Sequence, residues 1–333
     1  MTIVERDDRA GGLLMYGIPN MKLEKSIVQR RVDLMESLGM NSGWASTPLA
    51  QTSPRGCSKS RTPSSSHAGR VRRAPGIPGA DAAGVVYAVD YLEAATRAVL
   101  AGDTDSSVIS ARGLDVVVIG GGDTGNDCVG TAVRQGAQSV RQLEFLPEPP
   151  ACPREGNGWP QWPNVKKTDY GQQEAIELMG AEMRTWAADT IEVLTDERGG
   201  VRGLLVANLD WSDGTPRRIE GSEHEIPAQL VLIACGFTGP ETSTFDAFGA
   251  LVSDQGRALT VMEGASHRCA PKTQGAPGGR GLRLRRCAHR LLTGSQRHRR
   301  RPGLCRRGRP RARAVASARD LRKVPVPFLR GCT

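Results

Sequence analysis

The stretch from Leu114 to Gly136, LDVVVIGGGDTGNDCVGTAVRQG, constrains the fold more than any other part of the chain. Val116, Val117, Val118 and Ile119 form an apolar run without alternation. A strand buried on both faces of a parallel sheet has this pattern. Gly120, Gly122 and Gly125 follow with G-x-G-x-x-G spacing. Val129, Ala132 and Val133 then recur at helical spacing up to Gly136, a suitable helix stop. Glycines at a strand-to-helix turn predict a dinucleotide site. In that reading Gly120 makes the tight turn and Gly122 lets the backbone approach a pyrophosphate. Gly125 lets the helix pack close to the strand. The free amide groups and the positive end of the helix dipole then hold the phosphates.

The segments on either side extend this unit. Val140 to Phe145 predicts its second strand, with Glu144 near the end. An acid there either accepts from a ribose hydroxyl, which favours NAD over NADP, or is simply solvated. Asp169 to Gly180 reads as a helix with Ala175, Ile176 and Met179 on one face. Ile191 to Leu194, Val201 to Ala207 and Ile226 to Ala234 read as strands, with a hairpin turn at Glu197-Arg198-Gly199-Gly200. Upstream, Val85 to Leu100 has helical spacing. Thr2-Ile3-Val4 is a short strand ending in Glu5, and Ile27, Val28, Arg31, Val32, Met35 and Leu38 predict an amphipathic helix over 24–38. Glu5 is either a ribose ligand closing a second dinucleotide unit or an exposed strand end. The glycine loop expected roughly 20 residues before it is not in the chain.

Charge divides the molecule. Residues 41–74 hold six basic residues and no acidic one, and residues 268–333 hold twenty basic residues with Asp320 as the single acid. Outside these segments 19 basic residues face 34 acidic ones, so the net charge of +10 belongs to the segments and not to the folded part. Both are poor in apolar periodicity and read as irregular or disordered. Eight cysteines are present without a C-x-x-C pair, which argues against a thiol redox centre or a zinc ribbon. Cys128 reads as a small core residue and His224 as a surface residue. No apolar run approaches the length of a membrane span, so a cytoplasmic protein is expected.

Several segments together carry a family resemblance. VIGGGDTGNDCVGTAVRQGAQSV, the loop WPQWP, DYGQQEAI and LIACGFTGPE resemble the small (beta) subunit of NADPH-dependent glutamate synthase. VERDDRAGGLLMYGIPNMKLEKSIVQRRVDLMESLG is similar to the same family just after its FAD-binding glycine loop. The resemblance implies an α/β fold with two Rossmann-like dinucleotide domains, the NADPH domain inserted in an FAD domain. It implies hydride transfer from NADPH to FAD, then electron transfer through iron–sulfur clusters to a large (alpha) subunit. There glutamine and 2-oxoglutarate become glutamate. By position, Gly120, Gly122, Asp123, Thr124 and Gly125 correspond to the NADPH pyrophosphate site, and Glu5, Gly12 and Leu13 to FAD contacts. No catalytic residue and no metal ligand is assigned.

The expected organisation is a partial FAD domain over 1–40 and 73–110, and an NAD(P)H domain over 111–250. An irregular segment is expected over 41–72 and an arginine-rich one over 259–333. The iron–sulfur domain, the first FAD loop and the closing flavin segment do not appear. The two basic segments begin abruptly inside good matches, as a GC-rich gene does when read in the wrong frame. A truncated, frameshifted relative is therefore expected. Two alternatives stand beside an active subunit. One is a nucleotide-binding remnant without turnover. The other is a nucleic-acid binder using the arginine-rich tail, although the aromatic interleaving of such proteins is absent.

Overall fold

The computed structural model describes residues 2–43, 70–103, 109–154, 156–157, 164–247, 251–253, 259–263 and 266–269. In chain order the first elements are strand β1 (Thr2–Val4), a 3-10 turn at Gly12–Leu14, helix α1 (Lys25–Ser37) and strand β2 (Asn41–Gly43). Strands β3 (Arg70–Arg72) and β4 (Val85–Tyr87) lead into α2 (Ala88–Ala101). Next come β5 (Asp115–Ile119), α3 (Asp123–Gln135), β6 (Ser139–Leu143), α4 (Tyr170–Met179) and β7 (Arg184–Thr185). A meander follows: β8 (Ala188–Thr195), β9 (Val201–Asp210), β10 (Arg217–Arg218) and β11 (His224–Pro227). The last are β12 (Leu230–Ile233), β13 (Phe237–Pro240), α5 (Thr242–Ala247), β14 (Thr260–Glu263) and β15 (Ser266–Cys269).

The centre is a five-stranded sheet in the order β4-β12-β5-β6-β7, parallel at every pairing. The unalternated run of β5 follows from what covers it. Val116 and Val118 pack with Tyr91 and Leu92 of α2 and with Cys128, Val129 and Ala132 of α3. Val117 faces the other way, onto Val193, Leu204 and Val206 of the meander. All three valines are 1% exposed or less, and each such burial contributes about 1.5–3 kcal/mol. Helices, sheet and meander therefore form three layers around β5.

Local signals set the helix ends. α3 stops at Gly136, whose left-handed φ of 86° lets its amide return to the Ala132 and Val133 carbonyls. α4 begins with a capping box, in which the Asp169 side chain accepts from the helix and Gln172 Oε1 accepts from Asp169 N. α3 and α4 cross where Gly130 and Gly171 lie together; a Cβ on Gly130 would be 3.1 Å from Gly171 Cα. The β8–β9 hairpin is closed by Asp196, which accepts from the Arg198 and Gly200 amides.

Tertiary pairing changes several expectations. The stretch expected as helix from Val85 begins as β4, because β-branched Val85 and Val86 pair with Val231 and Leu232. The expected boundary between residues 110 and 111 therefore does not divide the sheet: β4 and α2 belong to the same layers as β5. The expected strand Ile226 to Ala234 is two strands in different sheets. β11 runs antiparallel on β9, and β12 enters the parallel sheet after a break at Ala228-Gln229. On α1 only Lys25, Val28 and Val32 are buried. Ile27, Met35 and Leu38 are 45%, 42% and 79% exposed, so the buried stripe is narrower than the apolar pattern.

The irregular segments also join the fold at their ends. β2 pairs parallel with β1, and β3 pairs antiparallel with β13. β14 and β15 form a hairpin inside the region expected to be arginine-rich and irregular. Residues 44–69, the Trp159–Pro163 loop and residues 270–333 lie outside the described residues. Among the described residues no helix is long and apolar enough to cross a membrane.

Candidate functional site

β5 and β12 are neighbours, yet the chain leaves β5 through α3 to β6 on its far side. The crevice beyond their carboxyl ends is therefore the topological switch point, where ligands of open α/β sheets bind. The glycine loop occupies it. Gly120 has φ 120°, and a Cβ there would lie 2.6 Å from the Ala234 carbonyl oxygen. Its amide donates to Leu143 O at 2.8 Å and its carbonyl accepts from Gln142 Nε2 at 2.9 Å. The turn is thus pinned between β12 and β6. Gly125 packs onto that turn: a Cβ on it would run into the Gly120 carbonyl oxygen.

Gly122 differs from both. Its φ of −78° and ψ of −177° suit any residue, and nothing lies within 4 Å of where a Cβ would be. It is the N-cap of α3, and no side chain caps the helix there. Exposed Asp123 and half-buried Thr124 open the first turn. The open amides and the dipole therefore face free space above Gly122. Gly120, Gly122, Asp123, Thr124 and Gly125 come together at this one turn.

Glu144, the first residue beyond β6, borders the loop, and a side chain on Gly121 would collide with its Oε2. Its amide donates to Thr185 O at 2.8 Å, its carbonyl accepts from Ala188 N at 3.0 Å, and Oε1 accepts from Leu146 N at 3.0 Å. The other expected contacts sit in the N-terminal segment. Glu5 Oε1 accepts from the Arg6 and Asp7 amides at 2.9 and 3.4 Å. Gly12 opens the 3-10 turn with open space at its Cβ position, and Leu13 is 43% exposed.

Two polar groups behind the loop escape a periodicity reading. In the first, Arg184 reaches Gln172 Oε1, Gln172 Nε2 donates to Gln142 Oε1 at 3.0 Å, and Gln142 holds Gly120. The signal was Gln142 itself, a polar residue on the inward face of β6 beside Val140. In the second, Asp127 of α3 accepts from Lys22 Nζ and Tyr170 OH, each at 2.9 Å. Burial pushes the Asp127 carboxyl up, while both hydrogen bonds pull it down. This cluster ties the N-terminal segment to the loop helix.

Cys128 is fully buried and Cys235 partly so; burial raises both thiols, which makes them poor nucleophiles. His224 is exposed. Among the described residues no group of three His, Cys, Asp or Glu side chains is placed to hold a metal ion.

No family model matches the chain. Curated relatives do. Glutamate synthase (NADH) of Schizosaccharomyces pombe is 40% identical over 257 residues, which cover 72% of this chain and 12% of that protein. The glutamate synthase (NADPH) small chain of Bacillus subtilis is 38% identical over 263 residues, covering 75% of this chain and 52% of that one. The small chain of Mycobacterium tuberculosis H37Rv is 37% identical over 251 residues, with 72% and 49% covered. Among solved structures, Mycobacterium tuberculosis FprA in complex with NADPH superimposes with a TM-score of 0.54 at 17% identity. It covers 85% of this chain and 70% of that one, a likeness of fold. The chain spans about half the length of the bacterial small chains it matches, and over the matched residues it is similar to the glutamate synthase small chains.

Proposed function

We propose that this chain is the nicotinamide-nucleotide-binding part of a flavin-linked oxidoreductase of the glutamate synthase type. It takes NADPH or NADH at the loop of Gly120, Gly122, Asp123, Thr124 and Gly125. One observation carries this reading: Gly122 is glycine where the backbone does not need one and where no neighbour crowds it. The space its missing side chain leaves lies over the uncapped end of a thirteen-residue helix. A pyrophosphate fits such a place, taking the open amides as donors.

A bound nucleotide would supply a hydride, and the flavin implied by the family resemblance would be its acceptor. The chain's own contribution is to bind and orient. Gln142 fixes the Gly120 carbonyl so that the loop amides point outward. The Asp127–Lys22–Tyr170 cluster sets the loop helix against the segment carrying Glu5, Gly12 and Leu13, which are proposed to meet FAD. Gly12 and Leu13 leave that surface open, as a large planar ligand requires. In the family reading, electrons continue to a large subunit for glutamate synthesis from glutamine and 2-oxoglutarate.

The test is a titration of the full chain with NADPH and with NADH, followed by nicotinamide fluorescence, in wild type and Gly122→Ser. Wild type is expected to bind and the variant to lose about tenfold or more in affinity, because the serine occupies the phosphate's donors. Binding unaffected by the substitution would place the nucleotide elsewhere. A flavin spectrum in the purified chain that bleaches with reduced nucleotide would support the FAD half of the proposal.

A further inference from the structure

We propose that the cavity at the C-terminal end of α3 binds a small organic acid, with its carboxylate at Arg112 and Gln135 and its apolar body against Pro19, Met21 and Val99. This site goes beyond the glycine loop and does not depend on it. α3 starts at the loop and runs thirteen residues to Gln135, so about 20 Å of helix separates the two places.

The cavity holds about 620 Å³ between α3, α2 and the segment before α1, a size suited to small organic ligands. Its two ends differ in chemistry. At one end Gln135 Oε1 accepts from Tyr91 OH at 2.8 Å and from the Ala111 amide at 2.9 Å. These bonds hold the Gln135 side chain against the turn that carries Ser110 and Arg112. Ser110 Oγ accepts from the Arg112 amide at 3.3 Å, which tightens that turn. At the other end Met21 rests on α3, where a Cβ on Gly130 would lie 3.3 Å from its methyl carbon. Buried Pro19 and half-exposed Val99 of α2 complete the apolar wall.

Polar groups left without partners then select the ligand. Thr96 lines the cavity and is 3% exposed, yet its hydroxyl makes no hydrogen bond among the described residues. With Oε1 occupied, Gln135 presents Nε2. Asn20, whose Oδ1 accepts from the Lys25 amide at 3.1 Å, presents Nδ2. Neither nitrogen has an acceptor among the described residues. Buried polar groups call for partners, and amide nitrogens and guanidiniums only donate. The ligand therefore supplies acceptors. The described lining carries two cations, Arg112 and Arg134, and no carboxylate. Arg134 donates to Glu174 at 3.0 and 2.6 Å. Arg112, on the turn beside Gln135, offers the guanidinium fork that a carboxylate matches. An acid group here, with hydrocarbon toward Met21, answers both halves of the cavity; a neutral apolar molecule would leave the donors unmet.

The experiment titrates the full chain, carrying carbon-13 in its methionine methyl groups, with hydrocinnamate and with its uncharged amide. The Met21 resonance is assigned from Met21→Leu. Hydrocinnamate is expected to move that resonance saturably, and the amide to bind about tenfold more weakly. Arg112→Gln is expected to lower hydrocinnamate affinity about tenfold. Val99→Trp, which fills the cavity from a helix position 42% exposed, is expected to abolish the shift. A Met21 resonance unmoved by the acid would overturn the inference. An amide that binds as tightly as the acid, or an affinity unchanged in both variants, would overturn it equally. The comparison of acid with amide in wild type decides even if a variant fails to fold.

Discussion

Gly122 and Gly125 are both glycines of one motif, yet different forces require them. At Gly125 the requirement is internal: a Cβ would run into the Gly120 carbonyl oxygen and come within 2.6 Å of Gln142 Nε2. Gly125→Ala is expected to destabilise the chain by about 1–3 kcal/mol in urea unfolding, because backbone cannot yield as a flexible side chain can. At Gly122 the requirement is external. Gly122→Ser places a better cap at the start of α3 and is expected to raise stability by about 0.5 kcal/mol. The same substitution is expected to lose nucleotide affinity. Opposite signs for stability and binding separate a ligand-driven glycine from a fold-driven one, and the spacing alone cannot make that distinction.

Among elements, β7 and α4 are joined to the glycine loop by buried polar contacts. Gln142→Leu removes the donor to Gly120 O and leaves Gln172 Nε2 without its acceptor. A loss of about 2–3 kcal/mol is expected in urea unfolding, together with weaker nucleotide binding. Further along, the Arg184 side chain is 1% exposed and bonds Glu182, Lys167 O and Thr168 Oγ1. Hydrogen bonds from Arg184, ahead of other causes, hold the Glu182 carboxyl down to about 2 from an ordinary 4.5. A depressed carboxyl stabilises the fold above its unfolded value and loses that contribution as pH falls toward its folded one. Glu182→Gln is expected to cost about 1–2 kcal/mol at pH 7, a value reduced for the solvent around Glu182. The gap from wild type is expected to close between pH 4.5 and about 2, read by urea unfolding across that range. Element ends in this region were legible beforehand, because Asp169, Gly180 and Gly136 act within a single turn of chain. The Arg184 contacts were not, since each joins residues that only folding brings together.

Across the whole molecule, protection is expected to follow the layers. β5, β6 and β12 lie inside the parallel sheet, with Val116, Val117, Val118, Val140, Val231 and Leu232 at 1% exposure or less. Their amides are expected to exchange slowest in hydrogen–deuterium exchange, and those of the two-stranded pairs β1–β2 and β14–β15 fastest. Rapid exchange in β5 would contradict the three-layer arrangement.

By itself the sequence determined the central unit: a doubly buried strand, a glycine turn, an amphipathic helix and a second strand. These were legible because glycine freedom, helical spacing and capping act between near neighbours in the chain. Only the tertiary structure decided that Val85–Tyr87 is a strand, since its partner is β12, more than half the described chain away. The same holds for the division of residues 226–234 between two sheets and for the narrow buried stripe on α1. An apolar or acidic residue shows what it can bury or accept; long-range pairing determines what stands opposite it.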